Sequence, residues 1–394
     1  MFEDLQPAPA DKIIALIGLY RADPRTEKVD LGVGVYKDRD GKTPVMRAVR
    51  EAEKRLLQGQ DSKTYLGLAG DVGFNTVMAK LAFGPGADMT RIRAAQAPGG
   101  SGALRLVAEL LKRTRSDATI WLSDPTWPNH MPVMRAAGLN IREYPYFDAA
   151  SGAVRFDDML AALRTAKSGD VVLLHGCCHN PTGANLDSAQ WAAVTDLVVE
   201  RGLLPFVDIA YQGFGDGLEA DAAGLRLLAA KVPEMVVASS CSKNFAVYRD
   251  RVGAAMILAR DGAQADVAMG QMLSAARAMY SMPPDHGAAA VRIVLEDATL
   301  RADWEAELEE MRLRMLRLRV RFAEALRRQS NSDRFDFVAS HRGMFSRLGL
   351  TEAQVERLRA EHGIYMVGDS RINVAGLPED GMDDLAKAIV SVLG

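Results

Sequence analysis

Lys243 is the residue in this chain best placed to do covalent chemistry. It sits in Ser239-Ser240-Cys241-Ser242-Lys243-Asn244-Phe245, directly after the apolar run Met235-Val236-Val237-Ala238. A lysine at a strand end among small hydroxylated residues is placed like an amine awaiting an aldehyde. Most single lysines are surface charges, so the neighbouring motifs have to decide. Eight residues on, Arg251 stands in Arg249-Asp250-Arg251-Val252-Gly253.

Gly99-Gly100-Ser101-Gly102 opens a helical pattern with apolar Ala103, Leu106, Val107, Leu110 and Leu111. Free amides and the dipole at such a helix start suit a phosphate, and Ser101 adds a hydroxyl. The segment is neither GxGxxG nor a P-loop. Asp208 ends a buried strand, followed by Ile209-Ala210-Tyr211. A buried carboxylate needs a cation or donors, and a protonated pyridine nitrogen is such a cation. Tyr211 can reach a ring oxygen, and the Asn180 amide, in the turn His179-Asn180-Pro181-Thr182-Gly183, can donate to a phenolate. Asp124-Pro125-Thr126-Trp127-Pro128-Asn129-His130 offers Trp127 as a stacking ring and His130 as support for Asp208. Cys177-Cys178-His179 is too cramped for a tetrahedral metal set and has no second pair, so no metal is expected. A phosphate seat, a stacking ring, a phenolate donor, a pyridinium partner and an amine together describe a site for pyridoxal 5'-phosphate.

The elements that must carry these residues are legible as alternation. Thr119-Ile120-Trp121-Leu122, Asp170 to His175, Leu203 to Asp208 and Met235 to Ser239 read as strands, separated by helical patterns such as Ala189 to Glu200. That predicts an α/β fold with a mostly parallel sheet covered on both faces, ligands gathering at the strands' carboxyl ends. Residues 1–10 predict an extended arm, and Asp11 is placed to cap a helix from Lys12 to about Tyr20. Leu308, Met311, Met315, Leu318, Phe322 and Leu326 predict a long helix over 304–328, a connector into a smaller C-terminal domain. Its five arginines from Arg312 to Arg321 are balanced by Glu305, Glu307, Glu309 and Glu310, which predicts a solvated face.

Composition bounds the function. The chain has 394 residues, long enough for one large and one smaller domain, with ordinary apolar (48%) and charged (25%) fractions. A net charge of −3 gives no reason to expect nucleic acid or an acidic membrane. The three cysteines are too few and badly spaced for a disulfide framework, which implies a reducing compartment. Without a secretion signal or a membrane-length apolar run, a cytoplasmic location is expected.

From Leu31-Gly32-Val33-Gly34-Val35-Tyr36 to Asp369-Ser370-Arg371-Ile372-Asn373 the chain resembles the class I (aspartate/aromatic) aminotransferases, most of all the bacterial aromatic amino acid members. The segments Ser123 to His130, His175 to Ala184, Asp208 to Phe214 and Ser240 to Gly253 carry the likeness in register. The resemblance implies the type I fold of pyridoxal-phosphate-dependent transferases: a large domain with a mostly parallel seven-stranded sheet under helices, and a smaller α/β domain. It divides the chain into an arm (1–10), a small-domain part (11–45), the large domain (46–310) and a second small-domain part (311–394). Lys243 then resembles the Schiff-base lysine and proton shuttle, and Asp208, held by His130, the partner of the ring nitrogen. Tyr211 and Asn180 resemble the phenolate donors. Gly100, Ser101, Ser240 and Arg251 resemble the phosphate seat, to which Tyr65 comes from the neighbouring subunit of a homodimer. Arg371 resembles the clamp on the substrate α-carboxylate, with Gly34 and Trp127 lining the same site. Arg277, lent by the other subunit, resembles the group that binds a distal carboxylate.

Two positions depart from the family pattern: Ser101 stands where threonine is common, and Met282 where strictly aspartate-directed members carry asparagine. An apolar Met282 beside Arg277 favours tolerance of an aromatic ring. The resemblance therefore implies transamination of aromatic (Phe, Tyr, Trp) and acidic (Asp, Glu) amino acids with 2-oxo acids, by ping-pong exchange. Its alternative is an aspartate aminotransferase with little aromatic activity. A lyase or decarboxylase on the same cofactor is disfavoured by the pair Arg277 and Arg371. A cofactor-sensing regulator is disfavoured because the stretch before the first helix is too short for a DNA-binding module.

Overall fold

Short β-branched runs and alanine-rich helices build one central sheet in the computed structural model, which describes residues 1–7, 12–115 and 117–394. Seven strands lie in the spatial order Ile92–Pro98, Val252–Leu258, Met235–Ser240, Leu204–Ile209, Val171–His175, Thr119–Asp124, Asn140–Pro145. Only Val252–Leu258 runs against its neighbours. The Met235–Ser240 and Val252–Leu258 strands are buried at every position. A strand covered on both faces needs a continuous apolar run rather than an alternating one, and that is what these segments supply.

The expected strands are present, with boundaries within a residue or two. Three others gave no strong signal. Ile92–Pro98 (Ile-Arg-Ala-Ala-Gln-Ala-Pro) and Val252–Leu258 are rich in alanine, a helix former, and pairing in the sheet overrides that preference. Asn140–Pro145 is an exposed edge strand. The reversed strand matters for function. Because it begins where its neighbours end, Arg251 arrives at the same end of the sheet as Lys243.

The first helix spans Lys12–Ala22. The proposed cap Asp11 and part of the expected arm (residues 8–10) lie outside the described residues. The long helix starts earlier than its apolar stripe suggests, spanning Ala298–Ser330, because Asp297 caps it by accepting from the amides of Thr299 and Leu300. Leu308, Met311, Met315, Leu318, Phe322 and Leu326 are all buried, as their spacing requires. The solvated-face reading of its arginines fails at one position. Arg319 is fully buried, four residues after Met315 and three before Phe322, on the apolar stripe itself. Glu307, assigned to balance the arginines, is also buried and accepts from the Arg47 amide at 2.7 Å.

The two chain ends meet. Val29–Asp30 pairs in parallel with Ile364–Tyr365, and the Asn373 amide donates to Leu31 O at 2.7 Å. Phe345–Arg347 and Arg371–Asn373 form an antiparallel ribbon beside them. Among the described residues no helix is long and apolar enough to cross a membrane.

Candidate active site

The carboxyl ends of five parallel-running strands, with the start of the reversed one, surround a cavity of about 140 Å³. Gly100, Ser101, Trp127, Asp208, Ser240 and Lys243 line it, as do Asn180, Tyr211 and Arg251. All nine were singled out in the sequence.

One wall is the start of the Gly99–Thr114 helix, which no side chain caps. Its first amides therefore remain available for an anion. Gly99 takes φ +68°, a left-handed conformation that suits glycine. A Cβ there would stand 2.5 Å from Arg251 Nη2, and one on Gly100 would stand 2.9 Å from Ser240 Cβ. Both glycines are thus required by close approach. Arg251 itself has φ +56°, at a cost on the order of 1 kcal/mol. The Gly99 amide donates to its carbonyl at 2.8 Å, tying the arginine to the helix start.

Lys243 lies opposite. Its Nζ is 4.8 Å from the centre of the Tyr211 ring and, among the described residues, has no hydrogen-bond or ion-pair partner. Burial pulls its pKa down to about 8; nearby Asp208 opposes that, and Arg251 and Arg371 reinforce it. An amine so poised is a better nucleophile near neutrality than a surface lysine.

Asp208 is buried, and its Oδ2 lies 3.0 Å from His130 Nε2. Burial pushes its pKa up, but the His130 hydrogen bond and nearby positive charge, Lys243 included, outweigh burial and leave it below the usual value. The carboxylate accepts, so His130 Nε2–H donates. His130 Nδ1 then accepts from Thr126 Oγ1 at 2.7 Å, and the Thr126 oxygen accepts from His175 Nε2 at 3.2 Å. Burial lowers the His175 pKa to about 3 and holds that of His179 well below the ordinary value, so both rings stay neutral. The rings follow one another outward, edge-to-face between His130 and His175, tilted between His175 and His179, and stacked between His179 and Tyr146. His130 lies 5.1 Å from His175, which lies 4.1 Å from His179, which lies 4.0 Å from Tyr146. The roles of His175 and Thr126 escaped the sequence reading, because a histidine ending a strand carries no sign of what it will stack on.

Arg371 is buried beside this cavity. Its Nη1 lies 3.5 Å from Asn180 Oδ1, Nη2 donates to Gly32 O at 3.0 Å, and Nε has no partner. Its Cζ lies 4.4 Å from the centre of the Phe345 ring. Gly34 borders the same ring, where a Cβ would come within 3.0 Å. Phe345 was not foreseen; an isolated phenylalanine in a short strand has no local signature. Tyr65 and Arg277 are not brought to this cavity. Tyr65 is 91% exposed, and Arg277, also exposed, donates to Ser281 Oγ. Tyr211 is pushed up by burial, so its hydroxyl stays protonated and can donate.

Cys177, Cys178 and Asp221 form the one group among the described residues whose ligand atoms lie within 4.8 Å of one another. Asp221 already accepts from the amides of Gly213, Gly215 and Asp216. The mutual thiol hydrogen bond and burial raise the Cys177 pKa, and burial raises that of Cys178 and Asp221. Protonated thiols are poor metal ligands.

A glycine-rich anion seat, a desolvated lysine and a buried aspartate at the carboxyl ends of neighbouring strands define an enzyme of covalent amine chemistry. The aminotransferase class I and II family matches residues 26–389, and the chain belongs to that family. The aromatic-amino-acid aminotransferase of Paracoccus denitrificans is 53% identical over 392 residues, covering 100% of both chains. The aspartate aminotransferase of Escherichia coli (strain K12) is 48% identical over 396 residues, again covering 100% of both. The aromatic-amino-acid aminotransferase of Burkholderia pseudomallei, solved covalently bound to pyridoxal phosphate, superposes with a TM-score of 0.97 at 44% identity, covering 100% of both chains.

Proposed function

We propose that this chain is a pyridoxal-phosphate-dependent transaminase that moves the amino group of aromatic and acidic amino acids to 2-oxo acids such as 2-oxoglutarate. One observation carries the reading: a partly deprotonated, unpartnered Lys243 amine shares a cavity with the buried carboxylate of Asp208 and an uncapped glycine-rich helix start. The residues present fit the cofactor. Side chains on Gly99 or Gly100 would fill the anion seat, and Asp208 carries negative charge where a protonated ring nitrogen would balance it. When bound, pyridoxal 5'-phosphate supplies an aldehyde for the amino group and a ring that withdraws electrons.

The chain's own groups do the rest. The amides of Gly100 and Ser101, the Ser240 and Ser101 hydroxyls and the Arg251 guanidinium would hold the phosphate. Trp127 would stack on the ring, and Asn180 and Tyr211 would donate to its phenolate oxygen. The His175–Thr126–His130 chain points its donors toward Asp208 and keeps that carboxylate charged. Lys243 Nζ is the amine that would hold the cofactor's aldehyde, and as a free amine it is the group placed to move a proton at the substrate's α-carbon. Arg371 takes the substrate α-carboxylate in a two-point grip, for which Nε is unspent and Phe345 gives a flat platform. Gly34 leaves room beside it.

The protein acts as a homodimer with shared sites, in this reading. Its support is that Tyr65 and Arg277 are exposed and outside their own chain's cavity, available to a second copy. Arg277 then binds the distal carboxylate of acidic substrates, with half-buried Met282 beside it accepting aromatic rings. The small domain is assembled from residues 11–45 and 311–394 around the large domain, 46–310, after the arm, 1–10. The pairing of Val29–Asp30 with Ile364–Tyr365 supports this, and the division at 310 falls inside the Ala298–Ser330 helix. The protein is cytoplasmic in this reading, on its cysteine usage.

The deciding measurement is steady-state specificity for aspartate, phenylalanine, tyrosine and tryptophan with 2-oxoglutarate as acceptor. Stoichiometric 2-oxo acid without ammonia or carbon dioxide is expected, with aromatic and acidic donors both turned over. Turnover confined to aspartate would establish the aspartate-directed alternative. In Arg277→Ala the loss is expected to be much larger for aspartate than for phenylalanine.

A further inference from the structure

Arg319 is a charged side chain in the core with no ion-pair partner among the described residues. Its partners are all neutral oxygens. Nη1 donates to Val338 O (3.1 Å) and Ser346 Oγ (2.7 Å), and Nη2 to Phe345 O (2.7 Å), Gly343 O (2.8 Å) and Arg342 O (3.3 Å). Burial brings its pKa down to about 9. A guanidinium stripped of water is costly to bury, and here Nε has no partner among the described residues. A plain apolar residue would pack the stripe at less cost, so the position calls for a reason.

The reason lies in what those oxygens belong to. Three of the five partners, Gly343, Phe345 and Ser346, lie in or beside the Phe345–Arg347 strand, which pairs antiparallel with Arg371–Asn373 in the register Phe345 to Asn373 and Arg347 to Arg371. Side chains alternate across such a ribbon, so Phe345, Arg371 and Asn373 share one face and Ser346 the other. On the first face, Phe345 lies under the Arg371 guanidinium, and Asn373 Nδ2 donates to Val33 O (2.6 Å) and Val35 O (2.7 Å), holding the segment that contains Gly34. On the second face, Arg319 reaches Ser346 Oγ and takes the carbonyl of Phe345. No carboxylate lies within ion-pair distance of Arg371 among the described residues, so its aim depends on this ribbon and on the Phe345 platform.

We propose that Arg319 is a positioning residue for substrate binding: from behind the ribbon it sets the height of Phe345 and thereby the aim of Arg371. The proposal rests on the reading of Arg371 as the α-carboxylate grip. That carboxylate is common to every amino acid and 2-oxo acid, so disturbing Arg319 weakens all substrates by one factor. This is the opposite signature to Arg277, which separates acidic from aromatic substrates.

The test compares Arg319→Met, Arg319→Lys, Ser346→Ala and Arg371→Lys as purified holoenzymes, with phenylalanine and aspartate each against 2-oxoglutarate. Arg319→Met is expected to raise KM for both donors by the same factor, about 10- to 100-fold, the effect of a misplacement of order 1 Å. Its kcat should change by less than about three-fold, as loss of uniform binding requires. Arg319→Lys should restore part of the loss, and the resting cofactor absorbance should be unchanged in both. Ser346→Ala, which removes one acceptor, should raise both KM values by about 2- to 5-fold. Should Arg319→Met fail to fold, Ser346→Ala decides by the same criterion. Unchanged KM values, or a change for one donor only, overturn the proposal. Unchanged KM in Arg371→Lys overturns the Arg371 reading beneath it, whereas a raised KM there beside an unaffected Arg319→Met removes the Arg319 proposal alone.

Discussion

The two ends of the central sheet each bury an aspartate, and the two are held very differently. At the amino end, Asp170 takes the Thr119 amide (3.1 Å), the Trp121 indole (3.2 Å) and the Lys167 amide (2.9 Å). At the carboxyl end, Asp208 takes one imidazole, and the rest of its carboxyl group borders a cavity. A buried carboxylate whose oxygens are all spent joins elements together. One left with acceptor capacity beside a cavity is set to meet something absent from the chain. A related contrast among the described residues separates Arg319, which makes five terminal-nitrogen contacts, four of them to backbone carbonyls, from Arg371, which makes only two, to Asn180 Oδ1 and Gly32 O.

That contrast can be broken by experiment. The largest effect should come at Lys243: Lys243→Ala is expected to lose the visible absorbance of the bound vitamer and about 10⁴-fold or more of turnover with the fold intact, read by spectrum and steady-state rate. Turnover near the parent level would remove the carboxyl-end site as the seat of chemistry. Next is Asp208→Asn, for which a fall in kcat of about 10²- to 10³-fold is expected with little change in urea midpoint, since a preorganised charge is lost but no joint is. Asp170→Asn should do the reverse. It turns one acceptor into a donor facing donors, costing about 1–3 kcal/mol in urea unfolding and leaving kcat within about two-fold. If the two aspartates gave the same pattern, the distinction between joint and site would collapse.

The smallest effect concerns pH. In the cofactor-free protein the Lys243 pKa is about 8, against 10.5 for the ordinary side chain. Between those values the unfolded chain holds a proton that the folded chain has released, so stability rises as pH climbs through that window. Relative to Lys243→Met, whose curve lacks this component, the parent should gain about 2–3 kcal/mol from pH 8 to 10.5. A flat difference between the two would show that the amine is not desolvated.

Much of the site was legible because its residues sit next to strand ends in short, distinctive segments. Glycines that precede a helix, a lysine among serines and an aspartate ending an apolar run each carry their chemistry locally. Nine of the proposed residues do line one cavity. What escaped had no local mark. His175 gains its part from a threonine 49 positions away, and Phe345 from an arginine in the partner strand. Arg319 was misjudged because charge balance along the chain was weighed above its place on the apolar stripe.

By itself, then, the order of residues determined the alternation of strands and helices, the helix stripe and the chemical kinds of group at each strand end, since these depend on neighbours within a few positions. The tertiary structure alone decided that the reversed strand delivers Arg251 to the same end as Lys243, that three imidazoles gather in ring contact behind Asp208, and that Arg319 turns inward onto the strand paired with that of Arg371. Those outcomes depend on burial and on contacts between distant segments, and both exist only once the chain has closed on itself.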